Sequence, residues 1–277
     1  MQIGIFAKTF AGINPAAGLA ASKAAGFDGV QYNMACSGLE PMPGEIPAAT
    51  QRAVAAAAET VGQTIFAVSG TYNMIHPDPV VRSKGHQRLE ILAAACQGIG
   101  TRLITLCTGT RDADDQWRHH PDNASQMAWS DLLASFEVAV QIAERHDILL
   151  GVEPELANVV NSAQAARRLI DTLQSDRIRI VLDPANLFEV ADSRTRRHLI
   201  AEAVDLLADR IVMAHAKDRD PAGGFVTAGQ GVIDFGQFLA NLHRAGFDGP
   251  LVTHGLSADE AAGVATFLRS HLQRAGT

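Results

Sequence analysis

The chain has 277 residues, of which 23 are lysine or arginine and 30 are aspartate or glutamate, giving a formal net charge of −7. Its apolar share of 47% and charged share of 19% exclude an intrinsically disordered chain, which combines low hydrophobicity with high charge density. The acidic balance also argues against a dedicated nucleic-acid-binding protein, because binding to phosphates requires a basic surface. We therefore expect a small-molecule substrate.

Short apolar segments typical of β-strands alternate with longer amphipathic or alanine-rich segments typical of helices. Glycine follows many of these helical segments, which is a common helix-ending signal. The eight predicted strands are Gln2–Lys8, Gly29–Asn33, Thr64–Ser69, Arg102–Thr108, Ile148–Glu155, Arg177–Asp183, Arg210–Lys217 and Pro250–His254. The helices predicted to follow them are Pro15–Ala25, Ala48–Gly62, Val80–Gly98, Ser125–Arg145, Ser162–Gln174, Arg194–Ala208, Phe235–Ala245 and Ala258–Ala275.

Strict alternation of strands and helices indicates an α/β fold with a parallel sheet. Eight such units in a chain of this length predict a single (β/α)8 TIM barrel, one domain over residues 1–277. The alternative is an open doubly wound sheet, which usually carries a glycine-rich phosphate turn after its first strand. The residues after the first predicted strand contain no G-x-G-x-x-G motif. The barrel is therefore favoured.

The sequence carries no membrane or secretion signal. Its longest apolar runs, residues 53–58 and 91–96, are far shorter than the roughly 18 residues that a membrane span needs. No basic region precedes an apolar stretch at the N-terminus. The three cysteines have no paired spacing, so a disulfide framework is not expected. We expect a cytoplasmic protein without a membrane or nucleic-acid partner, and a homo-oligomer stays open.

Four candidate metal ligands end apolar runs on four consecutive predicted strands. They are Glu153, Asp183, His215 and His254. In a TIM barrel, side chains at the carboxyl ends of the strands meet over one pocket. Taken singly, each residue is as well explained by a strand-end cap or an ion pair. Four in register predict a site for one divalent cation, and mixed nitrogen and oxygen ligation suits a first-row ion better than Ca²⁺.

Three further residues near these strand ends are candidates for contact with the substrate. Glu155 lies two residues after Glu153 and so shares its face of the strand. We expect Glu155 to reach the substrate; the alternative is an ion pair with Lys217 or Arg219 across the barrel mouth. Lys217 and Arg219 are expected to hold an anionic or polyhydroxy substrate, with a surface ion pair as the alternative.

Two predicted loops add weaker candidates. Asn73 and His76 follow the third strand and are expected over the pocket. Trp117 lies in the long loop after the fourth strand, where it either stacks on a sugar as a lid or packs the loop onto the barrel.

Several segments resemble the sugar phosphate isomerase/epimerase family, the xylose-isomerase-like TIM barrels, and the resemblance covers essentially the whole chain. Within that family the chain is similar to a poorly characterised subgroup. The family segments are Gly26–Val30, Glu153-Pro154, Leu182–Pro184, His215–Asp218, Gly229–Phe235 and Gly246–Leu251. The subgroup segments are Gly70–Met74, Leu106–Asp112 and Asp183–Phe188.

The resemblance implies a single divalent metal, with Mn²⁺, Zn²⁺, Mg²⁺ and Co²⁺ all open, held by Glu, Asp, His and Glu from strands five to eight. Glu153, Asp183 and His215 match the first three ligands. His254 stands where the family has its second glutamate, and Asn186, expected to bind substrate, stands where a histidine is often found.

In the resembling ketose epimerases, two metal-bound glutamates relay a proton at the carbon next to the carbonyl, whose oxygen the metal polarises. Glu153 is therefore expected to be ligand and base. The missing second glutamate leaves Glu155, His254 or bound water as the second proton carrier.

The sequence thus predicts a metal-dependent isomerase or epimerase acting on a sugar or sugar derivative. Three alternatives stay open. A lyase or dehydratase acting on an oxidised sugar needs the same metal and one base. A non-catalytic sugar-binding barrel would follow if His254 abolished the chemistry. A phosphodiesterase like endonuclease IV would need more inward histidines and a basic face, against the net charge of −7.

Overall fold

Eight parallel strands follow one another in chain order around a closed barrel in the computed structural model, which describes residues 1–10, 12 and 14–275. Residues 276 and 277 of the predicted domain lie outside the described residues. The strands are β1 (Gln2–Phe6), β2 (Gly29–Tyr32), β3 (Thr64–Ser69), β4 (Leu103–Cys107), β5 (Leu149–Glu153), β6 (Ile178–Leu182), β7 (Ile211–Ala216) and β8 (Pro250–Thr253). Pairing of β1 with β8 completes the ring, and the predicted TIM barrel is confirmed.

A helix follows each strand of the barrel. The helices are α1 (Pro15–Ala24), α2 (Ala48–Val61), α3 (Pro79–Ile99), α4 (Gln126–Arg145), α5 (Ala163–Leu173), α6 (Ser193–Leu207), α7 (Phe235–Arg244) and α8 (Ala261–Ala275). Local signals set several of their ends. Asp78 caps α3 by accepting a hydrogen bond from the Val80 backbone N–H, and Ser125 caps α4 in the same way. Gly100 ends α3 in the left-handed conformation that glycine tolerates.

Several predicted boundaries differ from the structure by one to three residues, and local structure accounts for two of these differences. The sequence predicts a first strand to Lys8, whereas β1 ends at Phe6 and Ala7–Thr9 form a 3-10 turn. The sequence predicts a last helix from Ala258, whereas α8 begins at Ala261. The Glu260 carboxylate accepts hydrogen bonds from the Ser257 backbone N–H and hydroxyl, which holds the preceding residues in a turn.

A short antiparallel hairpin after β7 is not predicted by the sequence. It pairs Asp218–Arg219 with Phe225–Val226. Each strand of this hairpin has only two residues, which is too short to show an alternating pattern in the sequence. This hairpin forms one wall of the cavity described below.

The inside of the barrel changes from apolar to polar along each strand. Val181, Met213 and Val252 belong to an apolar cluster that fills the lower part of the barrel. Because successive inward positions on a strand are two residues apart, the next inward positions after these three are Asp183, His215 and His254. The barrel therefore has an apolar base and a polar, ionisable floor at its carboxyl end.

Two expectations about the chain concern its cysteines and helices. Cys36, Cys96 and Cys107 are buried free thiols, as their unpaired spacing predicts. In the described part of the chain, no helix is long and apolar enough to cross a membrane.

Replacing Gly29 by alanine is expected to destabilise the barrel by about 1–3 kcal/mol, the usual cost of overpacking. A Cβ atom there would lie 2.4 Å from the Thr64 carbonyl oxygen and 2.7 Å from the Phe66 ring, and the backbone carbonyl cannot move away alone. Urea unfolding followed by circular dichroism measures the change. Gly18→Ala is the matched control, since its Cβ meets nothing within 4 Å in α1 and alanine there should stabilise by up to about 1 kcal/mol. Equal stability of the two variants would contradict the packing argument.

Candidate functional site

A cavity of about 850 Å³ opens at the carboxyl end of the barrel. Glu153, His215 and His254 line it together with Gln31, and the walls include Trp117 and Phe225. Its position follows from the barrel itself, because the loops after parallel strands surround that end.

The four predicted metal ligands converge in this cavity. One ligand atom from each of Glu153, Asp183, His215 and His254 lies within 4.8 Å of every other. His215 Nδ1 lies 3.1 Å from Glu153 Oε1 and 4.0 Å from Asp183 Oδ2, and His254 Nε2 lies 3.4 Å from the same Asp183 oxygen. His254 therefore points into the barrel rather than out between barrel and helix. The first three side chains are buried and His254 is partly exposed.

Gln31 determines how the imidazole of His215 is oriented. Its Nε2 donates to the hydroxyls of Ser69 (2.9 Å) and Thr105 (3.1 Å), which leaves its Oε1 facing His215 Nε2 at 2.9 Å. An amide oxygen only accepts, so His215 Nε2 carries a hydrogen and donates. The other ring nitrogen, Nδ1, consequently faces the carboxylates.

This arrangement fits a divalent cation. With Nε2 held as a donor, the 3.1 Å contact of His215 Nδ1 with Glu153 Oε1 requires either a proton on Nδ1 or a cation between the two atoms. Ligands that lie about 2.0–2.3 Å from one ion are separated by about 3–4 Å, as the closest ligand atoms are here. Two carboxylates and two imidazoles also match the ligation that first-row ions accept.

The charges of the cluster support one another. Burial by itself would raise the pKa of Glu153 and Asp183, but His215 lowers the pKa of Glu153 and Lys217 lowers that of Asp183, so both pKa values fall below their usual range. Burial would lower the pKa of His215, yet the Glu153 carboxylate raises it overall. Burial lowers the pKa of His254. The floor therefore holds two ionised carboxylates, which favour a cation.

Lys217 and Asn186 lie beside the ligand set. The Lys217 ammonium is 3.3 Å from Asp183 Oδ2 and donates to Asn186 Oδ1 at 3.1 Å. Asn186 in turn donates through Nδ2 to Glu153 Oε1 at 2.9 Å. Lys217 lies in the cavity wall, whereas Asn186 is buried beside the ligand set and does not line the cavity.

Glu155 lies in the same cavity, just past the end of β5. Burial is the main reason that the pKa of its carboxyl is raised to about 7, and the nearby Glu153 charge adds to the rise. No ion pair within 4.0 Å joins it to Lys217 or Arg219 among the described residues; Lys217 contacts Asp183 instead. A carboxyl group with a pKa near neutrality beside a cation site is suited to proton transfer.

The remaining predicted substrate contacts are Lys217 and Arg219, beside and within the hairpin after β7, and Trp117. Lys217 Nζ lies 3.8 Å, and Arg219 Cζ 4.0 Å, from the centre of the Phe225 ring. Arg219 is buried and lines the cavity. Trp117, on the loop after β4, is 51% exposed and also lines the cavity, so its ring is free to contact a ligand.

The expectation that Asn73 and His76 lie over the pocket is corrected by the structure, because neither lines this cavity. Asn73 is buried and braces two loops: its Nδ2 donates to the Thr110 and Asp112 carbonyls, and its Oδ1 accepts from the Thr110 backbone N–H. His76 contacts the Ala113 carbonyl through Nε2 at 3.0 Å. An asparagine side chain mimics backbone groups well, which is why a loop-bracing role and a binding role look alike in sequence.

Several cavity residues were not singled out from the sequence. Gln31 and Cys107 occupy inward positions near the ends of β2 and β4, so the rule applied to strands five to eight would have found them. Phe225 belongs to the unpredicted hairpin, and no sequence signal marks it. The substrate contacts predicted from the sequence therefore do not include the part of the cavity wall that Phe225 forms.

Asn73→Ala is expected to lower the free energy of unfolding by about 1–3 kcal/mol, because buried backbone groups of the loop after β4 lose their partners. Urea unfolding measures the change. Asn161→Ala is the control, since this exposed residue makes no side-chain hydrogen bond in the described structure and should stay within about 0.5 kcal/mol of wild type. An Asn73→Ala protein of unchanged stability would argue against the bracing role.

Comparisons with known proteins agree with this architecture. A solved 3-keto-D-glucoside 4-epimerase from E. coli is 19% identical with a TM-score of 0.77, over 98% of this chain and 99% of that chain. A D-allulose 3-epimerase from Methylomonas sp., solved with D-allulose, is 18% identical with a TM-score of 0.75, over 98% and 97%. A xylose isomerase domain protein from Planctomyces limnophilus is 17% identical with a TM-score of 0.78, over 99% and 98%. At these identities the similarity establishes the fold alone.

No curated protein sequence matches the chain. A family model described as a xylose isomerase-like TIM barrel matches residues 19–271, which is most of the chain. The resemblance inferred from the sequence segments is thereby confirmed. The protein belongs to the xylose isomerase-like TIM barrel family.

Proposed function

We propose that the protein is a metal-dependent isomerase or epimerase that moves a proton at the carbon next to the carbonyl group of a sugar or sugar derivative. The convergence of Glu153, Asp183, His215 and His254 within 4.8 Å at the floor of the cavity is the observation that carries the proposal. The sugar epimerases named among the similar structures support the choice of a sugar, and the cavity at the carboxyl end of the strands is where barrel enzymes bind substrates.

The four side chains at the floor would hold one divalent cation. When bound there, the cation supplies Lewis-acid polarisation of the substrate carbonyl oxygen. One oxygen of the Glu153 carboxylate, Oε1, already accepts from Asn186 and faces His215. Its role as a base is therefore shared with a neighbouring group.

We assign the proton transfer to Glu155. It lines the cavity, is not one of the four converging ligands, and lies close enough to Glu153 that their carboxylate oxygens fall within 4.8 Å of each other. His254 replaces the second glutamate of the resembling epimerases, and an imidazole bound to a cation cannot also carry a proton on the same nitrogen.

Asp183→Asn is expected to abolish stoichiometric binding of Mn²⁺ or Zn²⁺, because it removes the negative charge that faces both histidines. Isothermal calorimetry and elemental analysis of the purified protein measure the metal content. Asp259→Asn is the control, since this exposed carboxylate lies outside the cavity. Unchanged metal binding in Asp183→Asn would refute the ligand assignment.

Glu155→Gln is expected to slow deuterium exchange into the substrate by about 10²–10⁴-fold while metal binding is retained, since glutamine keeps the size and polarity of glutamate but cannot accept the proton. Exchange is measured by proton NMR in D₂O over a panel of ketoses and aldoses. If Glu155→Gln exchanges normally and His254→Ala loses exchange but keeps its metal, His254 is the proton carrier and its assignment as a ligand is wrong.

A lyase or dehydratase acting on an oxidised sugar is the second candidate. The observation that favours it is that Glu153 and Glu155 leave the same strand end, while β8 contributes an imidazole rather than a second carboxylate. One base and one cation suffice for elimination. Loss of water from the substrate in the exchange experiment identifies this reaction, exchange without elimination identifies the isomerase, and a metal-loaded protein without exchange is a binding barrel.

A further inference from the structure

Arg219 is a buried cation without an acidic partner in contact. Its side chain donates from Nε to the Ala185 carbonyl at 2.6 Å and from Nη1 to the Gly223 carbonyl. The residue is only 6% exposed. Within the described chain, no carboxylate lies within 4.0 Å of its guanidinium. Arg111, with 9% of its side chain exposed, shows the usual solution, because it pairs with Asp131 at 2.6 Å.

The surroundings of Arg219 make its charge costly. The two carbonyl oxygens and the Phe225 ring, which lies 4.0 Å from the guanidinium, stabilise the cation only in part, because none of them carries a negative charge. Burial lowers the pKa of Arg219, and the carboxylates of Glu189, Asp183, Glu155 and Asp220 act on it only from longer range. A buried charge is stable only when it is paired or well hydrogen-bonded. The neighbours in contact with Arg219 therefore bind the guanidinium without neutralising its charge.

Arg219 presents its free donors to the cavity. A guanidinium carries five N–H groups, and the two hydrogen bonds to carbonyls leave others unused. Lys217, the neighbouring cation in the wall, is already paired with Asp183 at 3.3 Å. Arg219 is consequently the buried cation of this wall that is left to meet a ligand, and its planar fork suits a carboxylate or a phosphate.

We propose that the substrate carries an acidic group, a carboxylate or a phosphate, that pairs with Arg219 in the cavity wall. This inference rests on the proposed function for the sugar part of the substrate. An ion pair with the acid would neutralise the charge of Arg219. It would also hold in place the end of the sugar that is distant from the reacting carbon.

Calorimetric titration of the Mn²⁺-loaded protein tests the proposal with sugars matched at carbon six. The probes are D-glucose, D-glucuronate and D-glucose 6-phosphate, with the corresponding D-galactose series, at constant ionic strength. In at least one series, we expect one of the two acids to bind at least tenfold more tightly than the neutral sugar. Preference for the uronate identifies a carboxylate, and preference for the phosphate ester identifies a phosphate.

Arg219→Gln should remove this preference, and Arg219→Lys should retain part of it, because lysine keeps the charge without the fork. Arg269→Gln is the matched control, since the exposed Arg269 pairs with Asp28 at the opposite end of the barrel, and it should bind as wild type does. An acid that coordinated the cation directly would bind Arg219→Gln equally well. Glu189→Gln should keep or raise the preference, because it removes a competing acid from the cavity.

The proposal is overturned if, in both series, neither acid binds at least tenfold more tightly than the neutral sugar, or if no binding is seen at all. It is also overturned if the preference for an acid survives in Arg219→Gln. These titrations measure binding without turnover, so their result is independent of the exchange experiment. Exchange into neutral sugars without an acid preference would leave the proposed function standing and reject the acidic substrate. An Arg219-dependent preference without exchange would support the acidic ligand and reject the proposed function.

Discussion

The buried carboxylate of Asp183 is the charge around which the floor of the cavity is arranged. Its Oδ1 accepts from the Ala185 backbone N–H and turns the chain at the end of β6, while its Oδ2 faces His215, His254 and the Lys217 ammonium. A carboxylate that is 1% exposed must be compensated, and the ends of two neighbouring strands, β7 and β8, supply the compensation. The convergence of these strands is therefore an electrostatic requirement as well as a consequence of the barrel.

A second layer of hydrogen bonds holds the loops that complete the cavity. The Asp218 carboxylate accepts from the backbone N–H groups of Gly229, Gly231 and Ile233, which ties the long segment after β7 back onto the strand end. This fixes the hairpin and with it Arg219 and Phe225. Gln31 does the same for the floor, because its amide contacts the Ser69 and Thr105 hydroxyls and the His215 imidazole at once. The geometry of the site thus depends on Asp218 and Gln31, neither of which is among the four converging ligands.

The distribution of charge separates two tasks within one cavity. The floor combines carboxylates and imidazoles, which suits a cation, whereas Arg219 in the wall suits an anion. A ligand that carries a carbonyl at one end and an acid at the other would satisfy both. The imidazole of His254 in place of a second carboxylate makes the floor less negative than a set with two glutamates and two other ligands.

How far the sequence predicts this protein depends on the range of the interactions involved. The barrel is readable because each βα unit carries its own pattern, and the caps at Asp78 and Ser125 act over two or three residues. The convergence of Glu153, Asp183, His215 and His254 was also predictable, since parallel strands of a closed barrel bring their carboxyl ends to the same place. The resemblance to a known family added the expected order of the ligands.

The rest was decided by contacts between residues far apart in the chain. Asn73 and Trp117 both lie in polar loops, yet the first braces backbone groups inside the protein and the second lines the cavity. Gln31 and His215 are 184 residues apart, so their contact has no local signature. By itself, the sequence determined the fold and the convergence of four strand-end side chains, because periodicity and strand-end position are local. Only the tertiary structure decided that Arg219 is left without an acidic partner, because pairing of charges depends on where the whole chain places its carboxylates.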